Sequence, residues 1–225
     1  MRFLVTAGPT REPIDPVRYL SNRSSGKMGY AIAEAALESG HEVILISGPV
    51  CLQPPRAAKL VSVSTSDEMF DAVHRNANKC DVCVMCAAVA DYKPASVSLA
   101  KIKKRSENLS LDLIPTRDIL DALGHWHDRR FLVVGFAAET NDVEKNAARK
   151  LRGKNCDIMI ANDVSSAKSG METDKNEVTI LFQNGERRKI LRTQKKIIAR
   201  ELVKIFQDSA TKTVDKKNVM ITERS

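Results

Sequence analysis

Aromatic side chains are scarce, at 4% of the 225 residues, which argues against a protein that stacks the bases of single-stranded nucleic acid. Long apolar runs are missing too. The first is only Phe3-Leu4-Val5, and no later one approaches the roughly 18 residues of a membrane span. No signal peptide or span is visible, so a soluble, cytoplasmic protein with no membrane partner is expected. The G-x-G-x-x-G fingerprint of dinucleotide-binding folds is absent behind the first strand candidate, as is an acid after the second. The phosphate-loop pattern fails as well, because Met28 stands where Ser or Thr should follow Lys27.

Cysteine is present but in a number and arrangement that argue against its usual structural roles. The five residues Cys51, Cys80, Cys83, Cys86 and Cys156 are odd in number. Cys80, Cys83 and Cys86 have the spacing of metal knuckles, yet no nearby His or Cys cluster supplies a fourth ligand. They fall in the alternating run "CDVCVMCAAVA", which reads as a buried strand, so reduced thiols are expected.

What the chain does have is core material: hydrophobic residues make up 43% of it, ample for a globular domain. The net charge of +8 would suit an anionic substrate or nucleic acid, but much of it is local. Arg187 to Lys204 holds eight cations against one carboxylate, Glu201, and reads as the solvated basic face of a last helix. No nucleic-acid partner is expected.

Periodicity alternates short β-branched runs with amphipathic stretches. Strands are predicted at 2 to 8, 41 to 48, 59 to 63, 81 to 88, 130 to 139 and 156 to 163, and helices at 27 to 39, 66 to 79, 117 to 127 and 141 to 152, with starts capped at Ser66 and Thr116. The alternation implies an α/β fold: a Rossmann-like, mostly parallel sheet with helices on both faces. Residues 89 to 114 contain Pro94 and read as a loop followed by a strand. Asn184-Gly185 between two alternating runs predicts a β-hairpin near the C-terminus. A helix over 193 to 207 ends the domain, placed at 1 to 207, and a loose, disordered tail is expected from 208 to 225. No internal repeat is apparent.

In an open parallel sheet, ligands sit outside the carboxyl ends of the strands. The first strand is followed by "TAGPTREPIDPVRYLSNRSSGKMG", where Gly8, Pro9, Pro13 and Pro16 rule out a short turn. Ser24, Ser25 and Gly26 fall at a helix N-terminus beside Asn22, Arg23 and Lys27. Free backbone N–H groups and the helix dipole there would favour an anion, though a serine alone is an ordinary cap. The fourth strand ends "CAAVADYKP", in which Ala87, Ala88 and Ala90 permit either close approach of a ligand or tight sheet packing, and Asp91 is an acid at a strand end. Lys101 opens the loop run "KIKK", where a lysine could close over phosphate. The fifth and sixth strands end "GFAAET" and "ANDVS", again small residues followed by polar ones.

Taken in order, "TAGPTREPIDPVRYLSNRSSGKMG", "AAVADYKP", "KIKK", "GFAAET" and "ANDVS" resemble the bacterial phosphopantothenate-cysteine ligases, the synthetase half of the coenzyme A biosynthesis protein. The resemblance covers residues 1 to about 207. It implies a ligase that joins 4'-phosphopantothenate to L-cysteine through an acyl-cytidylate, with CTP as co-substrate, Mg²⁺ as cofactor, CMP and pyrophosphate as products, and a homodimeric assembly. The flavin-dependent decarboxylase half often fused ahead of such ligases is not expected within these 225 residues. The chain is thus expected to be a stand-alone ligase or an excised domain, with a separate decarboxylase as a partner.

By motif, the resemblance implies that Asn22 acts on the acyl-cytidylate and Lys101 on the nucleotide phosphates. It implies nucleotide contacts at Ser24, Ser25, Gly26, Ala87, Ala88, Ala90, Asp91, Asp118, Phe136 and Ala137. It implies phosphopantothenate contacts at Asn22, Arg23 and Ala88, and metal ligands at Asp91 and Asp118. One departure stands out: the family has Pro before its Asp-Ile, where this chain has Arg117, which fixes no φ and adds a cation. Alternatives to the CTP enzyme are an ATP-dependent version, a nicotinamide or flavin oxidoreductase of the same fold, and a nucleic-acid binding module.

Overall fold

The computed structural model describes residues 1–104, 108–139, 141–163 and 173–222. In chain order the elements are β1 (Arg2–Ala7), β2 (Arg11–Pro13), β3 (Tyr19–Ser21), α1 (Lys27–Glu38), β4 (Glu42–Ser47), β5 (Lys59–Ser62) and α2 (Ser66–Ala77). Then come β6 (Val82–Met85), β7 (Tyr92–Pro94), β8 (Leu113–Pro115), α3 (Ile119–Gly124), β9 (Leu132–Glu139) and α4 (Val143–Gly153). The chain ends with β10 (Ile158–Asp163), β11 (Lys175–Phe182), β12 (Arg187–Gln194) and α5 (Lys195–Thr222).

Eight strands form one sheet in the order β12-β11-β10-β9-β6-β1-β4-β5. The six from β5 to β10 are parallel, the predicted Rossmann-like arrangement. The hairpin β11–β12 adds antiparallel to β10 and turns at Gly185, whose φ of 88° needs glycine. Strand β1 reads as an unbroken apolar run because both of its faces are covered: Phe3, Leu4 and Val5 are fully buried.

The two faces carry separate cores. On one, Ile32, Ala33 and Ala36 of α1 and Leu202, Val203 and Phe206 of α5 pack over Phe3, Val5 and Val84. On the other, Met69 and Val73 of α2, Leu123 of α3 and Leu151 of α4 cover Leu4, Cys83 and Val133. Cys80, Cys83 and Cys156 are buried and act there as small apolar side chains. Among the described residues no helix is long and apolar enough to cross a membrane.

Several local expectations are corrected. The cap of α2 is Thr65, closed into a capping box with Glu68, while Ser66 donates its backbone N–H and Oγ to the buried Glu12. The cap of α3 is Asp118, which accepts from Asp121 N at 2.8 Å; Thr116 instead donates Oγ to Ala90 O at 2.6 Å. The long insertion after β1 holds the two-stranded ribbon β2–β3, and 89 to 114 holds β7, which pairs with β8. Helix α5 continues past 207 to Thr222 with Ala210 still buried, so the packed helix extends into the stretch expected to be a loose tail.

Candidate functional site

A cleft of about 620 Å³ runs over the carboxyl edge of the sheet. Its floor is held by two buried threonines. Thr6 Oγ1, at the end of β1, accepts from Cys86 N at 3.0 Å and Ala87 N at 3.1 Å, and Thr10 Oγ1 accepts from Ala90 N at 3.0 Å. Ala88 N donates to Gly8 O at 2.9 Å and Thr10 N to Ala88 O at 3.3 Å, so the loops after β1 and β6 are joined almost as a short extra ladder. Small residues are needed where they stand: Gly8 and Gly26 have φ of 74° and 75°, and a Cβ on either would meet Val50 Cγ1 at 2.9 Å.

The cleft has two sides, because the sheet edge divides it. On the side of α1 and α5 lie Asn22, Ser24, Gly26, Lys27, Asn176 and Lys195. Helix α1 starts at Gly26, in the left-handed conformation and without a side-chain cap. On the side of α3 and α4 lie Asp91, Thr116, Asp118, Leu120 and Lys150. Ala87, Ala88, Phe136 and Ala137 lie between. Asn22 Nδ2 spans the loop floor, donating to Val89 O at 2.9 Å and Ala88 O at 3.3 Å.

Of the residues singled out in the sequence, Asn22, Ser24, Gly26, Ala87, Ala88, Ala90, Asp91, Asp118, Phe136 and Ala137 line this one cleft. Arg23, Ser25 and Lys101 are not among its walls. Lys101 is exposed, but the loop beside it has anchors that its composition does not reveal. Ile102 N donates to Asp15 Oδ2 at 3.1 Å, Arg18 donates to Ile102 O at 2.8 Å, and Ser98 N donates to Ile14 O at 3.0 Å. The residues 105 to 107 that follow lie outside those described.

Asp118 is committed elsewhere. One carboxylate oxygen caps α3 and the other pairs with Lys154 at 2.9 Å, and this contact raises the lysine pKa. No cluster of three or more His, Cys, Asp or Glu able to hold a metal occurs among the described residues. Asp91 and Asp118 therefore do not fit a two-aspartate magnesium site as they stand. Arg117 is likewise held in a structural role. Its guanidinium lies 4.0 Å above the Phe70 ring and pairs with Asp67 at 3.1 Å and Asp71 at 2.9 Å, tying the α3 start to α2.

Sequence reasoning missed Thr6, Lys150, Asn176 and Lys195. Lys195 corrects the picture of a uniformly solvated basic run: it is only 5% exposed, while the other seven cations between Arg187 and Lys204 are exposed. Its position at the first residue of α5, behind a strand parallel to the central six, was the available signal. Cys86 on the floor is a spectator, since burial pushes its thiol up to about 12.

A doubly wound α/β scaffold with a cleft across its carboxyl edge defines a protein of the Rossmann-like class, with the kind of crevice in which such folds hold small ligands. More narrowly, the chain belongs to the DNA/pantothenate metabolism flavoprotein C-terminal domain family, matched over residues 1–209. It is 44% identical over 207 residues to the coenzyme A biosynthesis bifunctional protein CoaBC of Vibrio vulnificus (strain CMCP6), covering 91% of this chain and 51% of that one. It is 47% identical over 188 residues to the protein of that name from Bacillus subtilis (strain 168), covering 83% and 46%. The chain thus spans about half the length of these curated relatives. The crystal structure of the C-terminal domain of CoaBC superimposes with a TM-score of 0.78 at 43% identity, covering 93% of this chain and 94% of that one.

Proposed function

We propose that the chain is a ligase that joins 4'-phosphopantothenate to L-cysteine at the expense of CTP. The observation that supports this reading is that Asn22, the Ala87–Asp91 loop and Phe136–Ala137, far apart in sequence, line one cleft. A carboxylate is a poor electrophile, so the reaction needs activation. The substrate carboxylate oxygen attacks the α-phosphorus, and the bond to the β-phosphate oxygen breaks, releasing pyrophosphate. The cysteine amine then attacks the acyl carbon, the bond to the CMP oxygen breaks, and the amine loses a proton.

In this reading the nucleotide takes the Asp91 and α3 side, with Lys150 at its edge and Lys101 reaching in from its loop. A divalent cation bound with the triphosphate would neutralise phosphate charge, and Asp91 on the cleft wall is the acid that would approach it. Asn22 sits where the two half-sites meet and bonds the acyl oxygen as charge develops in the second step.

Assembly as a homodimer is supported by the exposed apolar side chains Tyr19, Tyr92, Leu113 and Ile114, carried on the ribbons β2–β3 and β7–β8, which touch each other. The bifunctional relatives support a flavin-dependent decarboxylase as the source of coupled chemistry. Pyrophosphate release, measured with CTP and ATP in turn and with 4'-phosphopantothenate and cysteine each omitted, tests the reading. Release that ignores 4'-phosphopantothenate overturns it, and a preference for ATP transfers it to the ATP-dependent version.

A further inference from the structure

Asp67 joins two segments that border the cleft. One of its carboxylate oxygens accepts from the Lys93 ammonium and the other from Arg117 Nε at 3.1 Å, and its backbone carbonyl accepts from Arg117 Nη2 at 3.1 Å. Lys93 lies in β7, two residues beyond Asp91, and Arg117 immediately precedes Asp118, the cap of α3. Arg117 lines the cleft with Asp91, Thr116 and Asp118, whereas Asp67 is not among its walls.

The surroundings make Asp67 the fixed point of this group. It stands in the first turn of α2, where a carboxylate suits the helix dipole. That end of α2 is secured by the Thr65–Glu68 capping box, by Ser66 N donating to the buried Glu12 at 2.9 Å, and by Met69 in the core. The Asp91 and Arg117 segments are bonded to each other, Thr116 N to Asp91 O at 3.0 Å and Thr116 Oγ1 to Ala90 O at 2.6 Å, and form one wall. Arg117 completes the attachment of that wall to α2 by lying 4.0 Å above the Phe70 ring and pairing with Asp71 at 2.9 Å. Arginine fixes no backbone angle, so its hold on the start of α3 comes from these partners.

We propose that Asp67 is a positioning residue of the nucleotide site: by holding Lys93 and Arg117 together against the start of α2, it sets where the Asp91 and α3 wall stands over the sheet edge. The proposal rests on the ligase reading above, which puts the nucleotide on that wall. Two cations share the one carboxylate, and the hydrogen bond from Lys93 first, then that from Arg117, holds its pKa below the ordinary range. Its loss frees both attachments at once. The side chains of Asp67 and Arg117 are 40% and 44% exposed, so these pairs add little to global stability, and their removal shifts the wall without unfolding the domain.

The test compares the wild type with Asp67→Ala and Arg117→Ala, by pyrophosphate release and by calorimetric titration with CTP and with 4'-phosphopantothenate. A displaced wall predicts that both variants raise Kd and KM for CTP about fivefold to tenfold. Turnover at saturating CTP stays near the wild-type value, the pattern of lost binding rather than lost chemistry. The Kd for 4'-phosphopantothenate is unchanged, and the melting temperature falls by no more than about 2 to 4 °C. If Asp67→Ala does not fold by its melting curve, Asp67→Asn is read in the same way.

An active wild type with an Asp67 variant whose Kd for CTP is unchanged, or whose Kd for 4'-phosphopantothenate rises in step, overturns the positioning role and leaves the ligase standing. A wild type that releases no pyrophosphate overturns the ligase. In that case amide hydrogen exchange still decides the role of Asp67: the Thr116 N–H, bonded to Asp91 O, must exchange faster in Asp67→Ala, and equal exchange in the two proteins overturns it.

Discussion

Asn22 Nδ2 lies 2.9 Å from the carbonyl oxygen of Val89, in the loop after β6, although 67 residues separate them in sequence. With the second bond to Ala88 O, the amide is tied to the loop that follows β6. Both of its hydrogens are engaged there, so it reaches an acyl oxygen only by exchanging one of those carbonyls.

An Asn22→Asp variant places a carboxylate against two carbonyl oxygens and removes the donor. We expect the cysteine-dependent step to slow by roughly 100-fold, the range seen when one oxyanion donor is lost, with pyrophosphate release less affected. A rapid-quench assay that follows both half-reactions checks this. Equal loss of the two takes the role away from Asn22.

For Lys101→Gln the expected effect is a rise in apparent KM for the nucleotide, corresponding to about 1.5 to 3 kcal/mol for a lost charge-assisted contact. Initial rates against CTP concentration measure it. A variant with wild-type KM and turnover returns Lys101 to the surface.

The Asp15 carboxyl connects that loop to stability. It is buried, and the Arg18 guanidinium together with the Val17, Arg18 and Ile102 N–H groups holds its pKa well below the usual carboxylate range. The unfolded group titrates near about 3.9. Its contribution is therefore full above that value and fades as pH falls toward the lower folded value. Asp15→Asn should lower the melting temperature at neutral pH and flatten its decline in acid. Parallel curves for the two proteins would show that Asp15 does not carry the acid sensitivity.

Gly29→Ala probes the seat of α1. The added Cβ would stand 2.6 Å from Ala7 Cβ and 3.0 Å from Thr6 O, so helix and strand must separate. The expected cost is about 1 to 3 kcal/mol of overpacking, read as a lower denaturant midpoint with unchanged slope. Because Thr6 positions Cys86 and Ala87, weaker nucleotide use should accompany it. An unchanged midpoint would mean that α1 has room to move.

How much of this was written in the order of residues follows from the range of the forces involved. The parallel sheet was legible, because each strand buried on both faces must be a short apolar run, as in Phe3-Leu4-Val5, and each crossover helix shows one apolar stripe. The hairpin at Asn184-Gly185 was legible because a tight turn needs a positive φ. The strand-end clusters around Asn22, Ala87–Asp91 and Phe136 were legible because topology places all such ends on one edge.

Only the tertiary structure could decide what depends on contacts between distant segments. Composition gave the Lys101 loop few anchors, yet Asp15 and Arg18 hold Ile102 from 87 and 84 residues away. Asp118 looked available for a ligand until Lys154 came across to it from the end of α4. Lys195 looked like one more solvated cation of a basic run, and became a buried cleft lysine because β12 runs parallel to the central strands and starts α5 at the same edge as α1. Local periodicity fixes which residues share a face, but pairing a charge with its counter-charge requires the packed chain.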